Sequence, residues 1–257
     1  MIDLHCHILP GADDGACDIE ESLDMARHAV DDGIHSIVAT PHAMGGTFPN
    51  PPDKIITAAR ALSHRLETER IPLSLYTGAE IHLCPDMANR IMAGEAAFLC
   101  KNRRYVLVEF PFQTVSDGFR DALFHLILNG IIPVIAHPER NPGVYFQPGI
   151  LYDLTAAGCL IQVNSTSVTG GFGDTIMKCS HALVENRLVH VIASDAHSAR
   201  TRPPVLSAAV GIAAKILKNN DEALKMVSGT PEAIIKGLPV NVAEPKRPGR
   251  RRGGGKF

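Results

Sequence analysis

Asp3-Leu4-His5-Cys6-His7 stands at the head of the chain, directly after Met1 and Ile2. An apolar start of this kind reads as a short buried β-strand, whose two-residue side-chain period turns His5 and His7 one way and Cys6 the other. Two imidazoles aimed at one point form a metal clip. Further β-rich stretches follow, and the pattern predicts strands over 2–5, 36–40, 73–80, 105–110, 132–137, 159–164 and 189–195. Between them helical spacing predicts helices over 20–32, 53–69, 85–92, 118–129, 149–157, 173–186 and 203–219, with terminal helices within 221–237. Asp18 and Glu21 form a capping-box pair ahead of the first helix. Strict alternation of strand and helix predicts an α/β fold with parallel strands, and in a barrel of that type the site is built at the carboxyl ends of the strands.

Six of the seven expected strand ends carry a histidine or a carboxylate. His42 lies in Thr40-Pro41-His42, Glu80 in Gly78-Ala79-Glu80, Glu109 in Val108-Glu109, and His137 in His137-Pro138-Glu139-Arg140. Asp195-Ala196-His197 repeats the alternation of the first motif. Such a set is too large for one ion and implies a multinuclear metallohydrolase. Imidazole and carboxylate without thiolate favour Mn²⁺, Fe, Zn²⁺ or Co²⁺ over an all-oxygen cage. Glu80 and Glu109 close runs that should be buried, and a buried carboxylate is costly unless it is paired, so a cation is an economical partner. Asp3 is expected to orient a histidine ring, and the loop Asp13-Asp14-Gly15 to fold an acid back toward the site. For Asp14 a turn acid is the plain alternative. Arg140 should enter the mouth of the site, where its planar fork suits a phosphate. His28, His35, His64, His82, His125, His181 and His190 fall away from strand ends and are read as surface or core histidines.

The 257 residues and 45% apolar content suffice for a full core, read as one domain over 1–240. No apolar run approaches a membrane span, the start lacks the regions of a signal peptide, and the six cysteines are scattered without a C-x-x-C pair, so a cytoplasmic protein with reduced thiols is expected. Cys84 and Arg90 match the C-x₅-R spacing of thiol-dependent phosphatases, but the interior lacks a glycine-rich phosphate cradle, and the match is read as coincidence. Residues 241–257 form a basic tail, expected to be disordered, and from 245 onward Lys246, Arg247, Arg250, Arg251, Arg252 and Lys256 stand without an acid. Removing these six charges from the net −2 leaves −8 on the body. The tail reads as a solvated end, or as an electrostatic tether to anionic phospholipid or an acidic partner.

The segments DLHCHILPGADDGA, IVATPH, GAEIH, LVEFPF, PVIAHPERN and HVIASDAHS together resemble the PHP (polymerase and histidinol phosphatase) family of metal-dependent phosphoesterases. Within it the chain is most similar to the bacterial tyrosine-protein phosphatases of capsular and exopolysaccharide systems. The likeness runs from Met1 to about Gly237. It implies a distorted (β/α)₇ TIM-like barrel holding three divalent metal ions. It assigns His5, His7, Glu80 and Asp195 to a first ion, Glu80, Glu109 and His137 to a second, and Asp14, His42 and His197 to a third. It also implies that Arg140 and Arg202 contact phosphate, that ion-activated water attacks phosphotyrosine, and that the partner is an autophosphorylating tyrosine kinase of polysaccharide export, with no nucleic acid involved. Other branches place histidine where this chain has Asp14 and Glu109. The rival readings are a histidinol-phosphate or other small-molecule phosphatase, a non-catalytic metal-binding module, and an amidohydrolase, which more often carries a lysine at a middle strand end.

Overall fold

The computed structural model describes residues 1–44, 47–84, 86–111 and 117–248. Among the described residues there are nine strands: β1 (Ile2–Cys6), β2 (Ser36–Ala39), β3 (His42–Ala43), β4 (Ser74–Thr77), β5 (Glu80–His82), β6 (Tyr105–Glu109), β7 (Ile132–Ala136), β8 (Leu160–Asn164) and β9 (Val191–Ala193). Every pairing between them is parallel. They form one sheet of order β1-β2-β4 and another of order β3-β5-β6-β7-β8-β9. Only Thr40 and Pro41 separate β2 from β3, and only Gly78 and Ala79 separate β4 from β5. The nine strands are therefore seven passes of the chain, each near its expected place. A parallel bridge between Cys6 and Ala196, with Asp195 N donating to His5 O at 2.8 Å and His7 N to Ala196 O at 2.9 Å, joins the last pass to the first.

Side-chain alternation sorts the passes into two layers. Leu4, Val38, Leu107, Val134, Leu160, Val191 and Ala193 pack together in an inner cluster, while Ile37, Val106, Val108, Ile135, Ile161, Val163 and Ile192 pack against the helices. Stepping by two residues toward the carboxyl ends, the inner face turns polar: Leu107 leads to Glu109, Leu160 to Gln162 and Asn164, and Ala193 to Asp195. The apolar inner cluster thus forms a floor beneath a polar mouth. Ile234 of the last helix packs against this floor, and Tyr105 closes it by donating its hydroxyl to Leu238 O at 2.6 Å. On β1 the alternation is interrupted by a register shift between Asp3 and Cys6. Leu4 joins the inner cluster and Cys6 the outer one, so the period holds for His5, Cys6 and His7 but not one residue earlier.

Helices Ile19–Asp31, Pro52–Thr68, Met87–Met92, Asp117–Leu128, Gly149–Ala156, Asp174–Glu185 and Ser207–Leu217 fall in the predicted intervals, and Asp18 caps the first by accepting from Glu21 N at 2.9 Å. Two short helices, Pro142–Phe146 and Ser165–Thr169, were not expected. Among the described residues no helix is long and apolar enough to cross a membrane. All six cysteines are unpaired. In the basic tail, Lys246 N donates to Asn186 O at 2.8 Å, and Arg247 bonds Asp153 at 2.7 Å while lying over the ring of Tyr152. Arg250, Arg251, Arg252 and Lys256 lie outside the described residues.

His190, just ahead of β9, is buried and accepts the backbone N–H of Ile161 at its Nδ1. Burial brings its ring down to about 4. A free histidine in the unfolded chain titrates near 6.5, so the unfolded state takes up the proton first and the stability from neutral His190 is lost as pH falls from about 6.5 toward 4. Asn can supply an acceptor near the Nδ1 position without titrating. Between pH 7 and 5 the wild type should lose about 2 kcal/mol more than His190→Asn in urea unfolding of the metal-free protein. Parallel pH profiles for the two proteins would refute this.

Candidate metal centre

All nine residues expected as ligands lie at the carboxyl ends of the passes or in the loops that follow them. His5 is the penultimate residue of β1 and His7 directly follows the strand, His42 and Glu80 open β3 and β5, Glu109 ends β6, His137 follows β7, Asp195 and His197 follow β9, and Asp14 lies in the loop after β1. Their donor atoms form four overlapping clusters: His5, His7 and Glu80; His5, His137 and Asp195; His42, Glu80 and Glu109; and His7, Asp14, His42 and His197. Glu80 belongs to two of these, as expected of a bridging carboxylate. His42 also belongs to two, because its Nδ1 lies 3.0 Å from Glu80 and its Nε2 3.5 Å from Asp14.

At the centre, Nε2 of His5 and Nε2 of His7 face each other at 3.1 Å. Glu80 Oε2 and Asp195 Oδ1 each lie 3.4 Å from both nitrogens. The other ring nitrogens meet acceptors, with His5 Nδ1 at 3.1 Å from Gln162 Oε1 and His7 Nδ1 at 2.7 Å from Asp13 Oδ2. With Nδ1 facing an acceptor, each ring in its neutral form would donate there and turn the Nε2 lone pair inward, toward a cation. Two ring nitrogens and two carboxylate oxygens converge, and the buried Glu80 Oε2, with His42 Nδ1 3.0 Å away, makes no well-aligned hydrogen bond. A buried acceptor left unpaired costs on the order of 1–3 kcal/mol, more when charged. A divalent cation fits this donor set, which has the nitrogen and oxygen character of a transition-metal site.

The surplus of carboxylate marks the neighbouring rings. Burial opposes charge on His137, but its bond to Glu80 at 2.9 Å and the charges of Asp195, Glu80 and Glu109 outweigh that and raise it to about 9. His197 moves the other way, because burial and the proximity of His7 lower it to about 4. Asp13 is depressed to about 2: burial resists its charge, and the His7 ring and the N–H groups of His42 and Gly15 overcome that resistance.

Asp3 does not orient a histidine ring. The register shift in β1 turns it to β9, where its carboxylate accepts Ser194 N at 2.9 Å and Ser194 Oγ at 2.5 Å. The ring-orienting acid is Asp13, which also accepts His42 N at 2.9 Å. Gly15 makes that loop possible, because a Cβ there would lie 2.2 Å from His7 O. Asp14 points outward with its side chain 57% exposed, 3.5 Å from both His42 Nε2 and His197 Nε2. Glu109 is only partly buried and also faces His82 Nδ1 at 3.6 Å. Arg90, of the C-x₅-R match, pairs with Glu95 at 2.8 Å.

Arg140 and Arg202 converge on one oxygen, Asp195 Oδ2, at 2.9 and 2.6 Å, and both lie over the ring of Phe172, at 4.9 and 5.7 Å. Each side chain stays partly exposed, so further guanidinium donors remain for an anion. A cleft lined by Glu109, Phe110, Pro138, Arg140 and Asn141 adjoins Arg140. His137 and Asp195 adopt left-handed backbone conformations, φ 31° and 51°, which are costly for residues other than glycine. Both occur where a strand must turn a side chain into the mouth. Phe172, Gln162 and Asn164 escaped the sequence reading, although Gly170-Gly171-Phe172-Gly173 is an unusual loop and β8 was the one strand end without a ligand.

The profile described as capsular polysaccharide synthesis, CpsB/CapC, matches residues 1–236. Tyrosine-protein phosphatase YwqE of Bacillus subtilis is 43% identical over 202 residues, 79% of each chain. Putative tyrosine-protein phosphatase CapC of Staphylococcus aureus is 34% identical over 206 residues, 80% of each. A solved structure described as YwqE from Bacillus subtilis and CpsB from Streptococcus pneumoniae, unique metal-dependent tyrosine phosphatases, superposes with TM-score 0.91 at 37% identity, covering 98% of this chain and 100% of that one. Matched along nearly its whole described length, with the same overall architecture, the chain belongs to the CpsB/CapC family of capsular polysaccharide synthesis.

Proposed function

We propose that this chain is a metal-dependent protein-tyrosine phosphatase. The observation that carries the metal dependence is the convergence of two imidazole nitrogens, His5 Nε2 and His7 Nε2, with two carboxylate oxygens, Glu80 Oε2 and Asp195 Oδ1, on one buried point. The phosphotyrosine substrate rests on the relatives, which are named tyrosine-protein phosphatases. The family's role in capsular polysaccharide synthesis supports an autophosphorylating tyrosine kinase of polysaccharide biosynthesis as partner. The six unpaired cysteines support a reducing, cytoplasmic setting. The closing bridge between the first and last passes supports a distorted (β/α)₇ barrel within a single domain over 1–240.

In this reading His5, His7, Asp14, His42, Glu80, Glu109, His137, Asp195 and His197 hold three divalent ions, with Mn²⁺ first among the candidates. Divalent ions held there would draw charge from phosphoryl oxygens and bring the deprotonation of water toward neutral pH. The chain's own groups do the rest. Arg140 and Arg202 present planar forks to the phosphoryl oxygens, as two preorganised donors paired to the same carboxylate. Phe172 beneath both guanidiniums holds their planes. The leaving phenol has a pKa of about 10, so its departure does not demand a strong side-chain acid.

The test is a substrate panel with the Mn²⁺-loaded protein: a phosphotyrosine peptide, a phosphoserine peptide and histidinol phosphate. Hydrolysis should be fastest on phosphotyrosine, should stop with a strong chelator and should return with Mn²⁺. A preference for histidinol phosphate would move the chain to the small-molecule reading, and activity that survives the chelator would remove the metals.

A further inference from the structure

The one strand end without an expected ligand, that of β8, carries amides instead. Gln162 and Asn164 lie two residues apart on β8, share its inner face, and are both 0% exposed. Gln162 Oε1 stands 3.1 Å from His5 Nδ1 and accepts His137 N at 3.2 Å. Gln162 Nε2 donates to Asn164 Oδ1 at 2.9 Å, and Asn164 Nδ2 donates to Asp195 Oδ2 at 2.7 Å. Four groups therefore form an unbroken chain across the floor of the mouth, from His5 to Asp195.

Its direction is set from both ends by groups that have no choice. The backbone N–H of His137 can only donate, so the Gln162 atom it meets is the oxygen. An ionised Asp195 can only accept, so the Asn164 atom it meets is the nitrogen. With both amides oriented, the Gln162 oxygen requires a donor at His5 Nδ1, and the His5 lone pair is left on Nε2. The backbone of the relay is anchored as well, because Asn164 N donates to the buried carboxylate of Glu139 at 2.9 Å. Glu139 follows His137 by two residues, so the turn carrying His137 and Arg140 is tied to the same strand.

We propose that Gln162 and Asn164 are positioning residues of the metal centre, a one-directional amide relay that holds His5 in its Nδ1–H tautomer and restrains the Asp195 carboxylate. This rests on the reading of His5 and Asp195 as metal ligands. Groups that orient ligands in this way contribute typically about 10- to 100-fold to metal affinity. The relay also links, through β8, two ligands carried by the neighbouring first and last passes, so a disturbance at one end reaches the other.

Mn²⁺ affinity measured on the full chain, from the free-ion electron paramagnetic resonance signal, decides it. Gln162→Leu fills the same space without the relay, and its tightest Mn²⁺ site should weaken by about 10- to 100-fold. Gln162→Glu keeps an acceptor for His5 Nδ1–H and for His137 N–H, and should recover part of that loss. A residue that merely filled the interior would be served as well by Leu as by Glu. Should Gln162→Leu lose the fold, Asn164→Ser carries the same test, since it withdraws the donor from Asp195 and should weaken binding about 10-fold. Wild-type affinity in the folded variant, or Gln162→Glu no better than Gln162→Leu, would overturn the relay alone. A wild-type protein that binds no Mn²⁺ would instead overturn the metal reading on which the relay stands.

Discussion

Glu80→Gln is expected to lose more than one metal ion per chain and to lower turnover by at least ~10²-fold, beyond the usual loss from a group that only orients a ligand. Glu80 is buried in the middle of the donor set. Its Oε2 lies 3.4 Å from the Nε2 atoms of both His5 and His7 and 3.0 Å from His42 Nδ1, while its Oε1 lies 2.9 Å from His137 Nε2. Glutamine preserves the shape, removes the charge and places an N–H₂ among lone-pair donors that need a cation. Metal content by mass spectrometry and turnover on a phosphotyrosine peptide are the two readouts. Loss of a single ion would mean that Glu80 serves one cluster only.

Arg140→Ala should lower turnover by about 10²–10³-fold, the range for removing one preorganised donor to a charge that builds in the transition state. The structure adds a condition. Arg140 and Arg202 share Asp195 Oδ2, so Arg140→Ala leaves that buried carboxylate with Arg202 and Asn164 as partners, which should keep the metal content intact. Arg140→Lys should recover only part of the loss, because an ammonium cannot reproduce the two-pronged fork. Near-normal turnover in Arg140→Ala would remove it from phosphate binding. Loss of metal along with turnover would make it chiefly the counter-ion of Asp195.

The outline of the fold and the ligand types were legible because they obey short rules. Period two aligns His5 with His7, and Pro41 just before His42 and Pro138 just after His137 each interrupt a run where a side chain can enter the mouth. Other features depend on contacts that no spacing records. Asp13 and Asp14 are adjacent acids in one turn, and which one folds onto His7 is decided by the close approach of Gly15 to His7 O. Asp3 obeys the strand period as a sequence, but the register shift in β1 sends it to Ser194. Gln162 and Asn164 are neither ligands nor acids, so nothing in their type points to a metal. Their meaning appears only when β8 lies between β7 and β9. Phe172 gains its place because a glycine-rich loop brings it under two arginines that are 62 residues apart in sequence, Arg140 and Arg202.

The central claim is that lone pairs converging from His5 and His7 await a cation shared with Glu80 and Asp195. Anomalous diffraction from crystals of the Mn²⁺-loaded protein, collected on both sides of the manganese edge, tests it directly. A manganese peak is expected about 2 Å from both Nε2 atoms and from an oxygen of each carboxylate, with further peaks within the clusters that contain Glu109 and Asp14. A map with no peak between the two rings, in crystals of protein that hydrolyses phosphotyrosine, would contradict it.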